Sequence, residues 1–158
     1  MMINDLKIRE ATLEDLPEIT SIFRDTVRAI NSRDYSEKQI EAWSSGADDI
    51  EIWENRIKDL YFIVAEIKNE IVGFAHIKKG CHLDGLYVHK NYQRRTIGSK
   101  LLRIAESQIM AEGYEIINAD SSITSVDFFD SHYFDQIKKQ KKSYKGMGFA
   151  YSIFSKEL

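Results

Sequence analysis

The stretch Gln93-Arg94-Arg95-Thr96-Ile97-Gly98-Ser99-Lys100 is the part of this chain best suited to holding a charged group. It lies between a strand-like segment, LDGLYVH, and a helix-like one, LLRIAESQIMAEG. A strand, a short basic loop and a helix start together make a place where proteins hold phosphates. The first amides of a helix have no intrahelical partners, and the helix dipole puts partial positive charge there. Glycine is favoured where backbone must approach a phosphate closely or take a positive φ, and this loop has only Gly98. The residues alone leave three readings: a working cradle, a degraded one, and a polar loop that caps a helix. Just upstream, the strand HLDGLYVH places His82, Asp84, Leu86 and Val88 on one face by simple alternation, with Leu83, Gly85 and Tyr87 on the other. An unperturbed imidazole titrates near pH ~6.5, which suits proton transfer at neutral pH. The basic run Lys138, Lys139, Lys141, Lys142 and Lys145 reads as a solvated edge or hairpin, since charged edges discourage aggregation.

The elements that must position these residues follow from periodicity. LKIREA begins as a short strand. Thr12 with Asp15 fits a capping box, and Leu16, Ile19, Ile22, Phe23, Val27 and Ile30 then recur at helical spacing. Ser36 with Gln39 is a second box, opening a short helix through Ile40 and Trp43. A third helix covers roughly 49–59, with Ile50, Trp53 and Ile57 on one face. The period then changes. YFIVAEI, a polar turn at Lys68-Asn69-Glu70 and IVGFAHIKK read as a β-hairpin. After the HLDGLYVH strand, a long amphipathic helix runs from Ile97 and ends at Gly113 as its C-cap. YEIINAD is a strand. Thr124 with Asp127 fits a third capping box before a short aromatic helix, and GFAYSIFSKEL closes the chain as a strand. The order β-α-α-α-β-β-β-α-β-α-β-β predicts an α+β fold with a strand–helix–strand unit at its centre.

Composition narrows the function. The chain has 158 residues, 43% hydrophobic and 30% charged, which fits one domain over 1–158 with a single core. A net charge of −3 argues against nucleic acid as a partner, because phosphate-backbone binding needs a broad basic surface. The single cysteine, Cys81, excludes an internal disulfide and a cysteine-rich zinc site. The N-terminus turns charged at once, unlike a signal peptide, and no apolar run approaches the roughly 20 residues that span a bilayer. A cytoplasmic protein with no membrane partner and no metal is expected. There is no G-x-x-x-x-G-K-[ST] motif for nucleotide hydrolysis.

This order of elements, and the residues at its centre, resemble the GNAT superfamily of acyl-CoA-dependent N-acyltransferases. IREATLEDLPEI is similar to the opening strand and helix of that family, IVGFAHI to its third strand, and SSITSVDFFDSHYF to its late N-x-x-A-x-x-x-Y segment. LYVHKNYQRRTIGSKLL is similar to its acetyl-CoA signature, a strand followed by Q/R-x-x-G-x-G/A. The YSEKQIEAW segment, with the later Trp53, resembles a bacterial subgroup. The resemblance implies a largely antiparallel central sheet flanked by helices, acetyl-CoA as co-substrate, and transfer of its acetyl group to an amine on a small molecule or peptide.

By this resemblance the loop holds the pyrophosphate of coenzyme A, with amides from Gln93, Arg94, Arg95, Thr96, Ile97, Gly98 and Ser99 and charge from the two arginines. Thr96 replaces an expected glycine. Either it holds an ordinary φ with its hydroxyl toward the phosphate or capping the helix, or its branched side chain crowds the ligand; the first is expected, because amides do the binding. Backbone around Leu86, Tyr87 and Val88 holds the pantetheine and thioester, where an N–H can stabilise the oxyanion. His82 stands where some relatives carry a catalytic Glu and is the expected base, with Asp84 binding the acceptor ammonium or holding His82; a plain polar pair at a strand edge is the competing reading. His76 and His89 are expected at the surface. The family's thiolate-protonating Tyr aligns with Phe129, which cannot donate, so Tyr133 is the substitute candidate unless the thiolate leaves unprotonated. Ser122 stands where relatives have a cofactor-contacting Asn. Tyr35 and Trp43 belong to the region where the family builds its acceptor pocket. The lysine run offers help with the cofactor's 3′-phosphate or an acidic acceptor. An exposed final strand often forms a homodimer in that family. The departures at Thr96 and Phe129 keep open a non-catalytic acyl-CoA sensor and an interaction domain with a vestigial site.

Overall fold

The computed structural model describes residues 5–158. The elements are β1 (Leu6–Glu10), α1 (Leu16–Ala29), α2 (Glu37–Ser44), α3 (Ile50–Asp59), β2 (Tyr61–Ile67), β3 (Glu70–Lys78), β4 (His82–Val88), α4 (Ile97–Ala111), β5 (Ile116–Ser121), α5 (Val126–Ser131), β6 (Asp135–Tyr144) and β7 (Met147–Glu157), linked in places by 3-10 turns. They follow the order predicted from periodicity. The strands form one seven-stranded sheet in the order β1-β2-β3-β4-β5-β7-β6. Every neighbouring pair is antiparallel except β4–β5.

Local chemistry explains most boundaries. The Thr12 amide donates to Asp15 Oδ2 at 2.8 Å, and Asp15 also receives both Arg9 terminal nitrogens, so the entry to α1 is pinned to β1. Ser36 and Gln39 exchange the two bonds of a capping box at the start of α2. Lys68 and Asn69 both take positive φ, the two-residue turn that suits a tight hairpin between β2 and β3. Gly113 has φ 93°, with Tyr114 N bonded to Ile109 O and Gly113 N to Met110 O, the double bond pattern that ends a helix on a left-handed residue. The third capping box does not form. Thr124 sits inside a 3-10 turn (Ile123–Ser125), where its hydroxyl donates to Asp34 Oδ2 at 2.9 Å and ties this turn to the N-terminal helical region.

Alternation along β2 divides the core between the two faces of the sheet. Ile63, Ala65 and Ile67 pack with Leu101, Leu102, Ala105 and Ile109 of α4, while Phe62 and Val64 pack with Ile19, Ile22, Phe23 and Val27 of α1. The lysine run is the edge strand β6, as expected, with Lys145 in the turn before β7.

Two features of β4 shape everything that follows. First, β3 and β4 slip register between His76 and Ile77: His76 faces Gly85, Ile77 faces Leu83, and Asp84 is the unpaired residue of a β-bulge. Alternation therefore breaks. Leu83, Leu86 and Val88 pack on the α4 side and Tyr87 on the α1 side, which corrects the expected grouping of His82 and Asp84 with Leu86 and Val88. Second, β4 and β5 pair only at His82–Asn118 and Leu83–Ala119. Beyond that point β4 stays with β3 and β5 with β7, and the sheet opens.

Candidate active site

The opening between β4 and β5 is the floor of a cleft of about 1230 Å³. Single drug-sized ligands occupy roughly 300–1,000 Å³, so this space suits two substrates together. Leu86, Tyr87 and Val88 lie along the splayed half of β4, each paired to β3 and none to β5. The Val88 carbonyl is already engaged: it accepts from Thr26 Oγ1 at 3.1 Å and from Gln93 Nε2 at 2.5 Å. Gln93 thus contributes its side chain to fixing the turn after β4.

One end of the cleft is the N-terminus of α4. The first helical bond runs from Lys100 N to Thr96 O at 3.0 Å, which leaves the amides of Ile97, Gly98 and Ser99 without intrahelical partners. Thr96 has φ 65° and Arg94 φ 60°, both left-handed. The expectation that Thr96 holds an ordinary φ is therefore wrong. The chain must reverse sharply from the 3-10 turn Lys90–Tyr92 into α4, and a left-handed residue followed by a right-handed one aims successive N–H groups at one point. Thr96 does what glycine would do there, with a strain that branched residues feel. Gly98 serves space instead: a Cβ on it would sit 3.2 Å from the Phe128 ring. Ser99 Oγ lies 2.7 Å from His132 Nε2, while His132 Nδ1 lies 2.7 Å from the Phe128 carbonyl, so α5 braces the first turn of α4. Arg94 and Arg95 are exposed, and Arg95 stacks on Tyr92.

The other end is built from side chains. His76, expected at the surface, is 3% exposed, stacked on Phe62 and Phe74. β3 is buried along nearly its whole length, on both faces, and that continuous apolar run was the signal that its histidine is internal. Burial lowers the proton affinity of His76, so its ring is neutral at pH 7. Its Nδ1 lies 3.2 Å from Asp84 Oδ2, and Lys78 Nζ lies 3.2 Å from Asp84 Oδ1. Burial works against ionisation of Asp84, but the neighbouring His76 ring and the Lys78 charge outweigh it and hold the carboxyl well below the usual range. Gly85 is required beside this pair, because a Cβ there would collide with the His76 ring.

His82 and Asp84 do not pair, since the bulge separates them. His82 Nε2 faces Asp120 Oδ2 of β5 at 3.5 Å. Asp120 lines the cleft and His82 does not, so His82 reaches the cleft only through Asp120. The neighbouring His82 ring lowers the Asp120 carboxyl from its ordinary value. Asp120 was missed in the sequence because nothing in YEIINAD marks it. Tyr133 is also corrected. It is 85% exposed, lies outside the cleft lining and has φ 69°. It fills the left-handed position that ends α5, usually given to glycine, and its side chain turns to solvent. Phe129 is 4% exposed, stacked on Phe154, with an edge on the cleft. Ser122 lines the cleft with its hydroxyl 3.1 Å from that of Ser125. Tyr35, Trp43 and Phe149 form an aromatic wall with ring centroids 5.2–6.1 Å apart, and the Tyr35 hydroxyl accepts from Ile123 N at 2.9 Å. Tyr87, enclosed between Phe23 and Phe74, has its phenol pushed up to about 12 by burial.

Comparison with known proteins gives a consistent result. Residues 31–151 match the acetyltransferase (GNAT) domain model. Over 148 residues, 93% of each chain, the protein is 29% identical to the uncharacterized N-acetyltransferase YafP of Escherichia coli strain K12. A crystal structure of a GCN5-related N-acetyltransferase from Rhodopseudomonas palustris superposes with TM-score 0.96 at 30% identity, covering 100% of this chain and 99% of that one. PaiA N-acetyltransferase from Thermoplasma acidophilum, crystallised with coenzyme A, shares the fold with TM-score 0.79 at 23% identity over 97% of this chain and 99% of that one.

Proposed function

The chain belongs to the GNAT acetyltransferase family, and we propose that it moves the acetyl group of acetyl-CoA onto the primary amine of an acceptor by direct attack, with both substrates in one cleft. The observation that carries this reading is the splay of β4 from β5 with the open N-terminus of α4 at one end. The free amides of Ile97, Gly98 and Ser99 suit the pyrophosphate of the cofactor, and Arg94 and Arg95 add charge. The unpaired edge of β4 at 86–88 suits the pantetheine and the developing oxyanion. A relative with 23% identity, crystallised with coenzyme A, supports the cofactor through shared fold.

At the other end, ionised Asp84 and Asp120 hold the acceptor as its ammonium. One proton leaves the nitrogen through Asp120 to His82, which makes His82 a positioning and proton-accepting residue behind the wall. The nitrogen lone pair then adds to the thioester carbonyl. The tetrahedral intermediate collapses by breaking the C–S bond, the thiolate departs with the electron pair, and the nitrogen passes its second proton to the thiolate or to solvent, leaving the neutral amide. A thiol pKa near ~8.5 lets it leave without an acid from the position of Phe129. Holding both substrates in line supplies much of the rate.

The test is calorimetric titration of acetyl-CoA, followed by an amine screen read by free thiol. Micromolar binding with acceptor-dependent thiol release supports transfer. Binding without release supports the acyl-CoA sensor instead, and absence of binding leaves the fold without its cofactor.

A further inference from the structure

The acceptor end holds a charged group, Arg56, that the transfer chemistry leaves unused. Arg56 of α3 lines the cleft with its guanidinium carbon 4.6 Å from the centroid of Trp53. Trp53 is a rigid platform: it is 1% exposed, its Nε1 donates to Gly46 O at 3.0 Å, and Phe23 and Phe74 meet it edge-on. The cation–π contact holds the guanidinium over this platform. Of the other cations at this end, Lys78 is paired with Asp84 and Lys145 with Asp49, while Lys142 lies over the Tyr151 ring. Arg56 forms no ion pair among the described residues. Trp53 meets the His76 ring edge-on with centroids 6.3 Å apart, which places the guanidinium over it beside the Asp84 pair. A stacked arginine with unpaired N–H groups in a cleft is a preorganised fork for a planar anion, and a carboxylate matches it with two parallel bonds.

We propose that Arg56 anchors a carboxylate on the acceptor, so that the substrate of this site is an amino acid or a similar amine bearing a carboxylate. Its ammonium sits at Asp84 and Asp120, and its side chain lies against the wall of Tyr35, Trp43 and Phe149. Opposite charges at the two ends of the ligand then fix which nitrogen faces the thioester. An analogue without the carboxylate leaves the guanidinium unpaired in the cleft and is rejected for that reason. This inference rests on the acetyl-transfer reading.

The experiment measures thiol release from acetyl-CoA with L-amino acids, each paired with the amine left when its carboxylate is removed. Wild type, Arg56→Gln and Arg56→Lys are compared, with acetyl-CoA Kd by calorimetry alongside. At least one amino acid should exceed its decarboxylated partner by about tenfold or more in kcat/KM. Arg56→Gln should abolish that preference, mainly through KM. Arg56→Lys should restore part of it, and acetyl-CoA Kd should stay within about twofold, since no phosphate contact is removed. Equal use of both members of every pair, unchanged in Arg56→Gln, overturns the carboxylate anchor while leaving acetyl transfer intact. Weakened acetyl-CoA binding in Arg56→Gln assigns the guanidinium to the cofactor and also overturns it. Acetyl-CoA binding with no thiol release to any amine removes the transfer reading, and this inference with it.

Discussion

The two ends of the cleft are made of different material. The end proposed for the cofactor is main chain: free amides of Ile97, Gly98 and Ser99, aimed by a left-handed turn at Thr96, with arginines that stay exposed. The acceptor end is side chain: His76 from β3, Asp84 from β4, Asp120 from β5, Arg56 and Trp53 from α3, Trp43 from α2 and Phe149 from β7. Amides bind whatever residue carries them, so the first end survives substitutions such as a threonine in a glycine position. The second end depends on individual atoms held by neighbours, so it is lost one residue at a time.

Substitutions can break or sharpen this contrast. The largest effect is expected from Trp53→Ala, which removes a buried ring packed on Phe23 and Phe74 and should cost about 3–5 kcal/mol in urea denaturation. Next, Asp84→Asn should lower kcat/KM about 100-fold, or about 2.7 kcal/mol of transition-state stabilisation, with acetyl-CoA Kd unchanged in calorimetry. An equal loss of cofactor binding would show that the two ends are not separable.

Acid should also act first at the acceptor end. His76 binds a proton less readily when folded than its ordinary 6.5, because it is buried. The unfolded chain therefore takes up more protons as pH falls, so stability is full above about 6.5 and declines as pH drops below it. The depressed Asp84 carboxyl adds its loss only below its ordinary 3.8. His76→Gln should flatten the slope of unfolding free energy between neutral pH and pH ~5. At the cofactor end the effects are smaller. Replacing Arg94 and Arg95 together by alanine should weaken acetyl-CoA binding by about threefold to tenfold at low salt, and the difference should fade as salt rises. Thr96→Gly should change stability by no more than about 1 kcal/mol, since relief of left-handed strain is offset by the greater freedom of an unfolded glycine. A large loss of binding on that substitution would mean that the threonine hydroxyl, rather than the amides, holds the ligand.

Legibility in the sequence follows the same divide. The helix starts at Thr12 and Ser36, the Gly113 stop and the Lys68-Asn69 turn are local bond patterns, and each could be read from a few adjacent residues. The open helix start after this loop was legible for the same reason, although the φ of Thr96 was not, because nothing in its residue type asks for a left-handed turn. The acceptor end was largely hidden. Simple alternation placed His82 and Asp84 together, and one bulge residue was enough to send Asp84 to His76 and His82 to Asp120.

What the sequence by itself determined is the order of strands and helices, the open helix start after the basic loop and the family, since these rest on short-range periodicity and on backbone groups every residue carries. What only the tertiary structure decided is which side chains share the acceptor end. Asp84 and Asp120 line one cleft because β4 and β5 part after two residue pairs. Arg56 lies over the buried Trp53 ring and forms no ion pair among the described residues. Such pairings are set by register, splay and packing among distant segments, and no local pattern in the chain encodes them.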